Sequence, residues 1–539
     1  MCPGPLLVLL LAALSSGSSP PENNTGLSFI VVFPENIAYY YPATPQNKVQ
    51  ITALHDNTRI TFKQHTFDLT NADMNAGESK EFDLDARLEL RMPLISEKTL
   101  VITSSNRITV QAISQKSNSL QTALVIPTEK LGTEYLIPPI PSIQGTTDQV
   151  TVNVTERNPF KLIIVSADQD TKVTVTGART QKVSLKPQQI SSIWVHERDE
   201  LRAVTADQPV AVLFAHPCAN RQNCTCGLLY NMLPPARNQK LKFYIPPFLA
   251  TGAVAETFLL LSKEKPYNVA FDPDSPLVKT SGTAILYRPG LLLALVPEED
   301  FASCFVVNHI PDTKGFAVIV VHKDFTDGVQ IGDLPLKNPA WQKLKGTEFV
   351  STELKLALPQ NFIWHKSSNM AVYFVGHTES GLFGNPAPII STSPDPRGCT
   401  LTPEVVELGN EALGWRESLQ YCRDKNLELV SLSNATLWAQ IHKKIVQANS
   451  DNVRDVWIGM RRSSLTGEWY WLNKDPVTDT NWEKGEPGNA DDGQCAIMSL
   501  KKDFGWSDKD CCKTARPLCY SKPVLLPPPP PPPPPRFPN

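Results

Sequence analysis

The chain has 539 residues, which at roughly 100 to 200 residues per domain allows three or four compact units and rules out a single core. Its 51 basic and 54 acidic residues give a net charge of −3, so no global field draws nucleic acid or an anionic membrane surface. Proline is in excess, 48 residues or about 9 % against a usual level near 5 %, and the nine-proline run Pro527–Pro535 excludes a globular fold there.

Leu6–Leu14 is an apolar run too short to span a bilayer, followed by the small residues Ser15–Ser19. It predicts a signal peptide over 1–19, although the leader has no basic side chain. No later run reaches membrane-spanning length, so the expectation is a secreted chain without stable membrane insertion. Removing Cys2 leaves ten cysteines, an even number suited to an oxidising compartment. Asn23, Asn153, Asn223 and Asn434 head glycosylation sequons.

From 27 to 393 the sequence is a series of short apolar or alternating runs separated by Asp, Asn, Gly and Pro, among them Thr58–Phe62, Leu100–Thr103, Ile108–Ile113, Lys161–Val165, Val210–Phe214 and Phe316–Val321. Crossover helices are missing, which predicts an all-β scaffold of β-sandwich-like subdomains. Two elements recur. Asp56–Thr61 resembles Gln169–Thr174, and Ser105–Val110 resembles Asp207–Val212 and Ser368–Tyr373, a spacing that suits two or three related subdomains. The block Gln208–Pro235, a strand ending in the cysteine loop Cys218/Cys224/Cys226 and leading into Leu233-Pro234-Pro235, resembles the amino-terminal domain of the IgG Fc-binding protein family. That resemblance covers 27–393 and implies a β-rich module of secreted mucosal proteins. Antibody Fc binding is not inferable from it.

Ser391–Arg397 is a polar, proline-bearing boundary. Beyond it helical periodicity appears in Glu411–Lys425 and Asn434–Asn449, with Ser433 as N-cap of the second helix, followed by aromatic strands at Val456–Met460, Glu468–Leu472 and Cys495–Leu500. This order predicts an α+β domain. Tyr421-Cys422, Trp457-Ile458-Gly459-Met460, Asn481–Pro487, Cys495, Gly505–Cys511 and Leu518-Cys519 stand in the order of a C-type lectin-like domain, a resemblance covering 399–520. It implies disulfides Cys422–Cys519 and Cys495–Cys511. Cys399 and Cys512 are then left over, open to a bridge with each other or to an intermolecular link. Cys218, Cys224, Cys226 and Cys304 form a second set whose pairing sequence does not resolve.

The resemblance also implies a calcium-assisted sugar site, in which carboxylate and amide oxygens hold Ca²⁺ while sugar hydroxyls complete its shell. Of the family's five ligand positions this chain keeps Glu486 and Asp508. Gly488 stands where an amide is expected, Gly493 where a glutamate is expected, and Ser507 where an asparagine is expected. A shifted set, Glu486, Asn489, Asp491 and Asp508, is the candidate Ca²⁺ site, and Glu486, Pro487, Asn489 and Asp508 are the candidate ligand-binding residues. Solvent-facing loop acids are the competing reading. Trp457, Trp469, Trp471 and Trp506 read as core.

No nucleophile elbow, metalloprotease helix, phosphate loop or dinucleotide fingerprint is present. His216 and His377 follow comparable strands, where structural turn roles outweigh catalytic ones. The expectation is a secreted non-catalytic recognition protein whose partners are glycans or glycoproteins, with a calcium-independent protein-interaction module as the alternative. In the tail 521–539 the nine prolines Pro527–Pro535 are expected to form a polyproline II rod of roughly 28 Å at about 3.1 Å per residue, acting as a passive terminus.

Overall fold

The computed structural model describes residues 23–38, 44–64, 67–91, 95–117, 119–141, 143–147, 150–153, 160–196, 199–220, 226–237, 239–263, 265–378, 381–448, 453–489, 491, 493–501 and 503–527. The signal-peptide segment, Asn223, Cys224, Asp492 and all but the first residue of the proline run lie outside this set, as do the side chains of Asn153 and Cys226. The described chain forms two compact units, one ending at Cys399 and taking up the chain again from Leu526, the other comprising Thr400–Leu525.

The first unit is all-β and opens with two sheets of the same connectivity. The first contains β1 (Gly26–Val31), β2 (Gln46–Ala53), β3 (Thr58–Gln64), β4 (Phe67–Met74), β5 (Ser79–Leu84), β6 (Leu100–Lys116) and β7 (Ser119–Leu124). The second contains β8 (Gly132–Leu136), β9 (Phe160–Ser166), β10 (Thr171–Thr176), β11 (Gln181–Leu185), β12 (Ile190–Val195), β13 (Ala203–Asn220) and β14 (Cys226–Met232). Strand order is β4-β3-β6-β2-β5 in one and β11-β10-β13-β9-β12 in the other; β1 and β7 also pair with β6, as β8 and β14 do with β13.

The long strands explain the recurring sequence. Leu100–Thr103 and Ile108–Ile113 read as two strands but form one strand of 17 residues. Its first part pairs with β3 and its last part with β2, so the polar Ser104–Arg107 stretch marks the place where the strand changes partners. β13 does the same: Ala203–Ala206 pairs with β10 and Val210–Ala215 with β9. Asp207-Gln208-Pro209 lies at this change of partner, where proline's missing N–H is tolerated.

β9 is buried on both faces, which accounts for its unbroken apolar run. Leu162 and Ile164 face one core, and Ile163 and Val165 another that they share with Phe29, Val49 and Ile102. The exception is Lys161, 1 % exposed, whose ammonium lies 3.2 Å from Glu35 and over the Trp194 ring. A third region, Leu241–Ser391, adds a four-stranded sheet and two five-stranded sheets. There β15 (Lys314–His322) repeats the two-faced pattern, with Val318 and Val320 in one core and Ala317, Ile319 and Val321 in another.

The disulfide pairing differs from the one expected for Cys399 and Cys512. Cys399 bonds Cys304 rather than Cys512, with Cα atoms 5.5 Å apart, and Cys512 is free and exposed. Cys304 thereby leaves the four-cysteine set; Cys218 is also disulfide-bonded. The pairing failed in sequence because Cys304 lies 95 residues upstream, and only the fold of the intervening strands brings it next to the end of the unit. His216 is fully buried against Phe160 and accepts a hydrogen bond from the Cys218 N–H at 3.2 Å, whereas His377 is exposed.

The second unit is α+β. Helix α1 (Trp415–Asp424) buries Trp415, Ser418 and Cys422. It starts later than its periodicity predicts because Leu413 is held in an extended bridge to Ala515. Helix α2 (Ala435–Ala448) buries Ile441 and Ile445. Its N-cap is Asn434, whose Oδ1 accepts the Leu437 N–H at 2.8 Å; Ser433 instead donates to Asp475. The sheet comprises β16 (Val405–Leu408), β17 (Asp455–Arg462), β18 (Trp469–Trp471), β19 (Cys495–Ser499), β20 (Trp506–Lys509) and β21 (Arg516–Ser521), in the order β16-β21-β17-β19-β20, with β18 on β17 and the short Glu428–Leu429 strand on β21. Trp457, Trp471 and Trp506 are fully buried and Trp469 half-buried. Cys422–Cys519 ties α1 to β21, and Cys495–Cys511 closes the loop after β20.

Candidate functional site

The candidate site lies where the long loop before β19 meets β20. β19 and β20 pair in antiparallel register, Ala496 opposite Asp508 and Met498 opposite Trp506. Alternation along β20 turns Trp506 and Asp508 inward and leaves Ser507 and Lys509 half-exposed. The loop is pinned alongside: Trp506 N–H donates to Asn481 O at 2.8 Å, Glu483 N–H to Trp506 O at 2.9 Å, and the Asn481 amide to the carbonyls of Asp503 and Phe504 at 3.0 Å each. From the Glu483 anchor the chain reaches Glu486, three residues on, through a turn closed by the Glu486 N–H to Glu483 O bond at 2.9 Å, so Glu486 arrives at Asp508.

Glu486 and Asp508 touch. The Asp508 N–H points at Glu486 Oε2, 3.4 Å away, and the Gly488 N–H bonds the Asp508 carboxylate. Asp508 is 3 % exposed. With both acids ionised each is an acceptor only, which leaves Asp508 Oδ2 buried without a donor among the described residues. Burial, then the neighbouring carboxylate, pushes the Asp508 pKa up. On Glu486 burial acts in the same direction, but hydrogen bonds from Asp508 and the Lys509 charge outweigh it and hold that carboxyl below its ordinary value. The Lys509 ammonium is 3.6 Å from Glu486 Oε1.

Of the other candidates, Asp491 does not join this pair in an acidic cluster. Pro487 is half-buried, Asn489 and Asp491 are exposed on the loop, and no group of three or more His, Cys, Asp or Glu able to hold a metal exists among the described residues. At 493 the backbone itself excludes a ligand. A Cβ there would lie 2.4 Å from the carbonyl carbon of Lys509 and 2.6 Å from its Cα, so a glutamate does not fit unless the two strands part. Ca²⁺ normally takes six to eight oxygens; among the described residues, the two carboxylates that meet here beside an ammonium fall short of that set. Sequence reasoning missed Lys509, whose signal was its place directly after the retained Asp508.

Residues 411–521 match the family profile of the Lectin C-type domain. Over 117 residues the chain is 32 % identical to C-type lectin lectoxin-Phi1 of Philodryas olfersii, covering 21 % of this chain and 74 % of that protein. The chain belongs, through this domain, to the C-type lectin family. The lectin domain is also similar to a solved mouse scavenger receptor C-type lectin carbohydrate-recognition domain, at 25 % identity over 23 % of this chain and 94 % of that one, with a TM-score of 0.20. In the β unit the IgGFc binding protein profile matches twice, at 20–203 and 123–287. The human IgGFc-binding protein is 25 % identical over 394 residues, 64 % of this chain, and the chain spans 7 % of that protein's length. The two overlapping matches are offset by about the length of one β subdomain, as the repeated strand order requires.

Proposed function

We propose that this is a secreted, non-catalytic recognition protein that binds carbohydrate or glycoprotein through its lectin domain, with the β unit as scaffold. A recognition role is what its lectin relatives support, and among the described residues no helix is long and apolar enough to cross a membrane. The observation that carries the ligand class is the loop beside β20: the half-buried Glu486 and the exposed Asn489 and Asp491 present several oxygen acceptors on one short stretch, which suits sugar hydroxyls acting as donors. Glycan-array binding of the full chain with and without EDTA tests it. EDTA-resistant binding that Asn489→Ala and Asp491→Ala together weaken is the expected result, and an array without any reproducible signal overturns carbohydrate recognition.

A second reading, contact with protein independent of sugar, draws on Leu465, a leucine 93 % exposed at the tip of the β17–β18 hairpin, with Tyr470 exposed nearby. Binding to a glycoprotein that survives enzymatic deglycosylation and is lost in Leu465→Ser selects it over the first.

A further inference from the structure

We propose that the Lys509 ammonium is the resident cation of the lectin domain's acidic pair, so that Glu486, Asp508 and the loop carrying them are held in place without calcium. Three independent observations meet at this residue. First, Asp508 is buried against a second carboxylate, with Oδ2 lacking a donor among the described residues. Two like charges in such a site need a compensating positive charge within a few ångströms. Second, the charge at hand is Lys509, 3.6 Å from Glu486 Oε1, with its side chain 36 % exposed and that of Glu486 22 % exposed. Third, the backbone of Lys509 occupies the space that a side chain at 493 would need. The residue that supplies the ammonium therefore also closes the position from which a further carboxylate would enter.

The pairing is chemically economical. An exposed lysine–glutamate pair by itself contributes little. Here, however, Glu486 also touches the buried Asp508, so removing the ammonium leaves two adjacent carboxylates relieved by backbone N–H groups and a shared proton but by no formal charge from Lys509, and the loop from Asn481 to Asn489 loses its electrostatic anchor. The consequence for recognition, which rests on the function proposed above, is that ligand hydroxyls are met by protein acceptors directly rather than by a shared metal ion.

The test needs no ligand, so its failure is separable from failure of sugar binding. Thermal unfolding of the full chain is followed with millimolar CaCl₂ and with EDTA, for the parent and for Glu486→Gln, Lys509→Ala, the double variant and Lys509→Arg, and Tb³⁺ luminescence excited through tryptophan reports direct ion binding. The expected result is a parent lectin-domain transition unmoved by Ca²⁺ and without saturable Tb³⁺ luminescence. Lys509→Ala should lower that transition by several degrees, Glu486→Gln in the Lys509→Ala background should restore much of the loss, and Lys509→Arg should keep it. A parent transition raised by Ca²⁺, or saturable Tb³⁺ binding by the parent, overturns the proposal. So does an additive double variant with a calcium-silent parent, since Lys509 would then carry no coupling to the acids.

Discussion

Cys304 and Cys399 are joined across 95 residues, the first fully buried in the strand Cys304–Asn308 and the second 5 % exposed at the end of the β unit. The bridge closes a loop that contains the two five-stranded sheets of the third region. Chain-entropy arguments give about 4–5 kcal/mol for a loop of that size. Replacing both cysteines by serine should lower the denaturant midpoint of the β unit accordingly while leaving the lectin-domain transition in place.

Cys512 gives the complementary prediction. It is exposed and unpaired, so peptide mapping after alkylation without reduction should find it modified, and Cys512→Ser should leave stability within about 0.5 kcal/mol of the parent, as for surface substitutions in general. A Cys399–Cys512 cross-linked peptide would contradict the pairing described above.

Asn434 has two separable chemical roles. Its Oδ1 caps α2 through the Leu437 N–H, while it is exposed and heads the sequon Asn434-Ala435-Thr436. Asn434→Asp should keep the cap and abolish the sequon; Asn434→Ala should lose both and cost about 1 kcal/mol. Comparing the unfolding free energies of the two unglycosylated variants isolates the cap. Equal stabilities would show that the oxygen contributes nothing.

His365 should make the β unit sensitive to acid. The ring is 1 % exposed; Nε2 lies 2.7 Å from Phe325 O, and Nδ1 accepts from the Ser367 and Ser368 N–H groups at 3.0 and 2.8 Å. The neutral Nε2–H tautomer satisfies all three contacts, and a second proton would cancel the two accepted bonds. Burial, opposed by the Phe325 carbonyl, holds its pKa below the ordinary 6.5. The unfolded chain therefore takes up a proton first as pH falls through 6.5, and stability is lost from there down to the lower folded pKa, by at most about 1.4 kcal/mol per pH unit. Urea titrations between pH 7.5 and 5 should show this slope in the parent and a reduced one in His365→Gln.

Gly459 sits in β17 where a Cβ would lie 2.6 Å from the Leu429 carbonyl oxygen and 3.1 Å from that of Val430. Its own N–H bonds Val430 O at 2.7 Å, so the strand has no freedom to withdraw. Gly459→Ala should cost about 1–3 kcal/mol by overpacking, read as a lowered lectin-domain midpoint with the β-unit transition unchanged.

Much of this architecture follows from local chemistry. Alternating runs and turn residues define the strands of the β unit, and the doubly apolar runs at Lys161–Val165 and Phe316–Val321 already carry the signature of strands buried on both faces. Helical periodicity and the order of tryptophans and cysteines define the α+β domain in the same way, because each signal lies within a few residues or within one family's motif order.

What sequence by itself left open depends on distance. Whether Leu100–Thr103 and Ile108–Ile113 are one strand is decided by the partners on either side of Ser104–Arg107; which cysteine meets Cys399 is decided by the fold of 95 intervening residues. The fate of the acidic pair was likewise tertiary. Glycine at 493 reads in sequence as a missing ligand, but only the approach of two backbones shows that no side chain fits there, and only the path of the loop sets Glu486 against Asp508 and Lys509. Side-chain chemistry is inherited from the residue; the charge a site must answer is set by what packing places next to it.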